Sequence, residues 1–367
     1  MKRNFFLENL PKMQLEFKPD VADSLQMWMD FWTGNNTRPI LLATIARPHT
    51  RVVEAPAYLT AFDGNFHQLA HDLLAWAETH EFLGDTIPNY YLEFGPETMA
   101  SYLGCDLVLA ADRSTSWSVP FVEDWDKVEI RFRKDSYWWQ RTLEAFDVLR
   151  SHLDGKMMIA APALLGNLDA LSSLRGPQKL LLDLIDQPQK IKRALEQVNQ
   201  AHSEILAALA AELDMDNLGS MNVEGLYFPG RHSRPQCDFS AMISPAMFRE
   251  FVIPCLMSEA DDAGAFTYHL DGPNAVCHVP ALCAMPKLDV IVYAIGAGTE
   301  DWDWSFLYDQ IDSLGKGQIF YNEMTPDRVK QTWQKYQSRK LVFIPKVSSR
   351  NEFEDLLSQI KESGKEN

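Results

Sequence analysis

Eight short apolar runs, separated by longer stretches with helical spacing, constrain this chain more than any single residue in it. They fall at 40–45, 90–94, 157–161, 220–227, 266–269, 290–293, 318–321 and 341–344. Apolar runs this short, bounded by turn residues, read as strands, and the segments between them read as crossover helices. Residues 66–78 set Phe66, Leu69, Leu73, Leu74 and Ala77 on one helical stripe. Trp138, Trp139, Leu143, Phe146 and Leu149 mark a long helix, and 178–213 reads as two helices broken near Pro188. Further helices are predicted over 304–314 and 325–338, the latter with Thr325 as N-cap and Pro326 in its first turn. The repeated alternation predicts an α/β fold, a (β/α)8 TIM barrel rather than an open doubly wound sheet. No glycine-rich dinucleotide or P-loop pattern sits at a strand-to-helix turn, which weakens nucleotide-binding alternatives. Residues 1–34 read as an N-terminal helical extension whose Met27, Trp28, Met29, Phe31 and Trp32 cover the core. Residues 35–367 read as one barrel domain, with no internal repeat and no dividing linker.

Apolar residues make up 46% of the sequence, enough for a sizeable core. The 34 basic side chains against 51 acidic ones give a net charge of −17. That charge repels nucleic-acid backbones and anionic membranes, although a cleft of opposite local sign still admits an anionic small molecule. The N-terminal segment lacks a sustained apolar core and no run of about 18 apolar residues occurs, so neither a secretory signal nor a spanning helix is expected. Cys105, Cys237, Cys255, Cys277 and Cys283 form no CxxC pair and are odd in number, as expected of reduced thiols in a cytoplasmic protein.

Chemistry concentrates at Tyr268-His269-Leu270-Asp271-Gly272. Two residues apart on an extended chain, His269 and Asp271 point to the same side, and at a barrel strand end that side is the active-site mouth. A neutral His binds a metal or accepts a proton, while Asp ligates, orients the His or holds a cation; the plainer reading has Asp271 capping nearby amides. After the fourth run, Arg231, His232 and Arg234 form either a positive island facing the pocket, where Arg clamps a carboxylate or phosphate, or a solvated loop paired with acidic surface. Asp238 accepts a proton, holds a cationic substrate or caps a turn. Tyr293 and Tyr321 are placed to donate hydrogen bonds inward, and Trp302 with Trp304 lines the mouth or packs over it. His67 and His71, four apart without an intervening Glu, read as an exposed helix face rather than a zinc site.

Tyr268-His269-Leu270-Asp271-Gly272-Pro273 resembles the uroporphyrinogen decarboxylase superfamily, which includes cobalamin- and corrinoid-linked methyltransferases. Gln236-Cys237-Asp238-Phe239, Ser244-Pro245-Ala246-Met247-Phe248-Arg249-Glu250-Phe251, Gly166-Asn167-Leu168-Asp169-Ala170-Leu171 with Leu174-Arg175-Gly176, and Phe94-Gly95-Pro96-Glu97 carry the same likeness, over roughly 35–355. The resemblance implies a methyltransferase acting with a corrinoid or corrinoid protein and a small acceptor. In that group zinc sits on a His-x-Cys pair and a later Cys; His269 matches the first ligand, Asp271 replaces the first Cys, and the segment Pro345-Lys346-Val347-Ser348 lacks the second. What remains is a divalent-metal site of harder ligands, His269 and Asp271 with Glu323 or with Glu97, Glu224 or Asp238, chosen for their strand-end positions. The alternative is a decarboxylase of a carboxylated, porphyrinogen-like substrate, with Asp271, Tyr293 or His269 as proton donor and Arg47, Arg231 or Arg234 as carboxylate clamps. The Arg-Gln-Ala-Gly motif of the true decarboxylase is missing around Arg47. A third reading is a non-catalytic tetrapyrrole or corrinoid carrier. A homodimer fits the resemblance.

Overall fold

The computed structural model describes residues 10–362. Its strands are β1 (Ile40–Ala46), β2 (His80–Gly84), β3 (Asn89–Tyr91), β4 (Leu107–Leu109), β5 (Ser116–Ser118), β6 (Met158–Ala160), β7 (Ser220–Met221), β8 (Tyr227–Phe228), β9 (His232–Ser233), β10 (Ala265–Asp271), β11 (Val290–Ala294), β12 (Gly317–Met324) and β13 (Leu341–Pro345). One sheet has seven strands in the order β2-β1-β13-β12-β11-β10-β9. Every pairing in it is parallel except β1 with β2. β3 and β6 form a separate parallel pair, while β4–β5 and β7–β8 are antiparallel hairpins.

Helices lie between the parallel strands as the sequence spacing predicts. Phe66–Glu78 follows β1, and Tyr137–Leu153 precedes β6. Pro177–Asp186 and Pro188–Glu212 meet at the predicted break, because Pro188 tolerates only a first-turn position. Thr325 caps Pro326–Lys335, its hydroxyl accepting from Arg328 N.

Alternation along the strands sorts side chains into two layers. Ile40 and Leu42 of β1, Ala160 of β6, Met221 of β7, Ala265 of β10, Val292 of β11, Ile319 of β12 and Val342 of β13 form one apolar cluster. Phe266, Tyr268 and Leu270 of β10 and Ile291 of β11 belong to another, packed against the helices. Helix Val21–Thr33 adds Trp28, Phe31 and Trp32 to the inter-strand cluster. Trp32 Nε1 donates to Tyr227 O at 2.6 Å and Trp28 Nε1 to Asp85 O at 2.9 Å, so both indoles bury their rings with the polar atom satisfied.

The hydrogen bonds draw a seven-stranded sheet and separate strand pairs, an α/β fold as the sequence predicts. One expectation needs correction. The expected fourth strand over 220–227 is instead a hairpin: Leu226 N donates to Asn222 Oδ1 at 2.9 Å, and Gly225 takes φ +74°. Asn and a glycine in the left-handed region are what a tight turn requires, and that signal outweighs the apolar run. β9 then begins a new parallel strand beside β10, extended by the bridge from Gln236 to His269.

Candidate active site

His269 and Asp271 share the inner face of β10 with Ala265, near the C-terminal end of the strand, as their spacing predicts. Between them Leu270 is buried in the helical layer, while His269 is half-buried and Asp271 exposed. The hairpin turn that displaced the fourth strand delivers Glu224 to the same place. Glu224 Oε1 accepts from Arg234 Nε at 2.6 Å and lies 3.7 Å from His269 Nδ1. Arg234 Nη2 approaches His269 Nδ1 at 2.6 Å and Nη1 donates to Gln236 Oε1 at 2.6 Å. A guanidinium only donates, so Nδ1 is the acceptor in this contact and the neutral ring carries its proton on Nε2. Burial alone would raise Glu224, but the Arg234 charge first, with the hydrogen bond from Arg234, outweighs it and brings the carboxyl down to about 2. Its second oxygen, Oε2, is buried without a protein partner.

A second tier holds this group in place. Gln236 Nε2 donates to Asp238 Oδ2 at 2.8 Å, and Asn167 Nδ2 donates to Gln236 O at 2.9 Å. Asp169 accepts from the backbone N–H groups of Asp238 and Phe239, both at 2.9 Å. Burial and then the Asp271 charge raise Asp238; burial and then the Asp238 charge raise Asp169. The Gly166–Leu171 segment is thus a clamp on the 236–239 turn. Glu93, just past β3, joins from the other side through bonds with Tyr58 and Tyr91; burial pushes it up to about 7 against those bonds and the Arg234 charge.

The remaining predicted residues divide. Arg231, just before β9, pairs with Asp216 at 2.9 Å, and His232 is buried beside Thr267 Oγ1 at 3.2 Å. Arg47 faces Glu81 at 3.8 Å. Glu97 accepts from Ser173 Oγ at 2.7 Å and from Ser118 N, so it ties two loops together. Tyr293 packs on the helical side with Ile291, its ring 4.9 Å from Trp304, and its hydroxyl has no protein partner. Trp302, Tyr293, Tyr321 and Glu323 come together in one cleft of about 640 Å³. Past Phe320 the register of β12 with β13 shifts, and Tyr321, Asn322 and Glu323 are all exposed there. The Asp271 charge raises both Asp238 of the His269 group and Tyr293 of this cleft. His67 Nδ1 meets His152 Nε2 at 3.1 Å on an exposed surface.

The expected metal triad of His269, Asp271 and Glu323 is not assembled. Among the described residues no group of three or more His, Cys, Asp or Glu side chains is disposed to hold a metal ion. The donor set explains why: Arg234 donates to Nδ1 of His269, which leaves the neutral ring protonated on Nε2 and without a free lone pair there for a metal ion. Sequence reading missed Glu93 and Asp169. An acid inside the otherwise apolar 90–94 run is the available signal for the first.

No family model matches the chain, and no curated relative matches it. Among solved structures, a methyltransferase from Methanosarcina mazei superposes with a TM-score of 0.60 at 12% identity, covering 95% of this chain and 99% of that one. A B12-independent methionine synthase from Shewanella sp. W3-18-1 gives a TM-score of 0.44 at 13% identity, over 89% and 97% of the two chains. The first likeness is one of fold, and it extends over nearly the whole of both chains.

Proposed function

We propose that this chain is a methyltransferase-like enzyme of the uroporphyrinogen decarboxylase and cobalamin methyltransferase superfamily, working at the strand ends around Glu224, Arg234, His269 and Asp271. In this reading the sheet and the separate strand pairs close into a (β/α)8 barrel, which the shared inner cluster of β1, β6, β7, β10, β11, β12 and β13 supports. The observation that carries the function is the buried Glu224–Arg234–His269 group at the C-terminal end of a parallel strand. The methyltransferase fold shared with the Methanosarcina mazei protein supports the reaction class.

Zinc does not fit this donor set, so no step runs through it. At the mouth a corrinoid, presented by a partner protein, would supply the methyl carrier; the residues of this chain bind and orient the small substrate. His269 offers its Nε2–H to orient that substrate, and Arg234 fixes the ring plane. Asp238, raised by burial and the Asp271 charge, takes up a proton where the acceptor must lose one.

The decarboxylase reading depends on arginines that are committed elsewhere. Arg47, Arg231 and Arg234 each face a carboxylate, at 3.8, 2.9 and 2.5 Å. Methyl transfer from methylcobalamin to thiol and amine acceptors tests the proposal. His269→Ala is expected to lower turnover about a hundredfold without unfolding the protein; turnover unchanged in that variant, or carbon dioxide release from a porphyrinogen, would overturn it.

A further inference from the structure

The arginines read from sequence as anion clamps are neutralised, and in the cleft lined by Trp302 and Tyr321 carboxylates outnumber cations. Among the described residues, no ion pair joins Asp271, Asp301 or Glu323 to a basic side chain. The cleft of Trp302 and Tyr321 carries four carboxylates, from Glu300, Asp301, Asp303 and Glu323, against two cations, Arg328 and Lys335. Lys335 is already taken by Asp309 at 2.5 Å.

The walls are aromatic. Trp302 and Tyr321 line the cleft while 58% and 52% exposed, an unusual cost for side chains of this size. Trp302 is stacked on Trp304 at 5.6 Å and 26°, and Trp304 in turn meets Tyr293 at 4.9 Å, so the exposed indole is held in a fixed plane. Tyr293 is 4% exposed, lines the same cleft and has a hydroxyl with no protein partner. Exposed aromatic faces supply the negative side of the ring quadrupole, and carboxylates beside them supply charge. Together they suit a bulky, weakly hydrated cation and reject an anion.

We infer that the cleft formed by Trp302, Tyr321, Tyr293 and Glu323 is a recognition site for an organic cation with an alkylated ammonium head. The methyltransferase reading bears only on what is then done to that cation, as the small substrate; the binding itself stands on the cleft. Glu323 faces the charge, Trp302 and Tyr321 cover its alkyl groups, and Tyr293 meets a heteroatom of the ligand.

Isothermal titration of the full-length protein with choline, with tetramethylammonium and with 3,3-dimethylbutan-1-ol, the uncharged isostere of choline, tests the site. Both cations are expected to bind, and the neutral isostere about tenfold more weakly. Trp302→Ala and Glu323→Gln should each weaken choline about tenfold, while Trp302→Phe keeps most of the affinity. Because Trp302 is largely exposed, its replacement leaves the core intact. Equal binding of choline and its isostere, absence of binding by both cations, or unchanged affinity in Trp302→Ala would overturn the inference. Cation binding without methyl transfer would leave the site standing and remove the reaction assigned above; methyl transfer to thiols without cation binding would do the reverse.

Discussion

Arg234 is buried at the centre of the candidate site and spends its guanidinium on Glu224, Gln236 and His269. Its side chain is 10% exposed and that of Glu224 2%, so each charge depends on the other for its solvation. Removing one partner leaves the other buried and unpaired. Glu224→Leu and Arg234→Leu are each expected to lower unfolding free energy by about 3–5 kcal/mol, and the double variant Glu224→Leu with Arg234→Leu by less than their sum. Urea unfolding of the three variants measures this; additive losses would show that the pair is not coupled. The pH dependence has a definite sign. The Glu224 carboxyl sits at about 2 when folded against an ordinary 4.5, so its contribution is complete above about pH 4.5 and is lost as pH falls towards 2.

Helix Ile253–Asp262 brings Glu259 against the start of helix Asn167–Arg175, where a Cβ on Gly166 would lie 2.6 Å from Glu259 Oε1. Glu259 is 1% exposed, and His202 Nε2 stands 4.0 Å from its Oε2. Burial pushes Glu259 up to about 8 from an ordinary 4.5. The unfolded chain therefore releases this proton near pH 4.5 while the folded chain keeps it until about 8, and stability falls as pH rises through that window. Thermal melts from pH 5 to 8 should show Glu259→Gln matching the wild type at the acid end and exceeding it at pH 8. Parallel curves would mean that Glu259 is ionised throughout.

The same elements show how much was legible in sequence. Strand and helix spacing located β10 to β13 and helix Phe66–Glu78 closely, because long amphipathic helices and apolar strands carry their own periodicity. The same-side placement of His269 and Asp271 followed from a period of two. The fourth strand differs because the Asn222–Gly225 turn interrupts an apolar run that is continuous in sequence. Arg231 and Arg234 could not be told apart, since nothing in the sequence reveals that Asp216 pairs with one and Glu224 with the other. Glu93 and Asp169 escaped for a related reason: their importance lies in burial and in neighbours distant in the chain.

At the scale of the whole molecule, helix Val21–Thr33 covers one end of the inter-strand core with Trp28, Phe31 and Trp32, while the acidic, aromatic cleft and the His269 group lie by the strand C-termini. Among the described residues no helix is long and apolar enough to cross a membrane. A net charge of −17 favours the approach of cations over the whole surface, in agreement with the excess of carboxylates over cations in the cleft. The central claim is a methyl-transfer site built from Glu224, Arg234 and His269 with no metal in its donor set. Its most direct test is the rate of methyl transfer from methylcobalamin to tertiary amines by chelator-treated protein, compared with the same protein resupplied with zinc. Equal rates in the two samples are expected; transfer that disappears on chelation and returns with zinc would show that a metal ion belongs to the site.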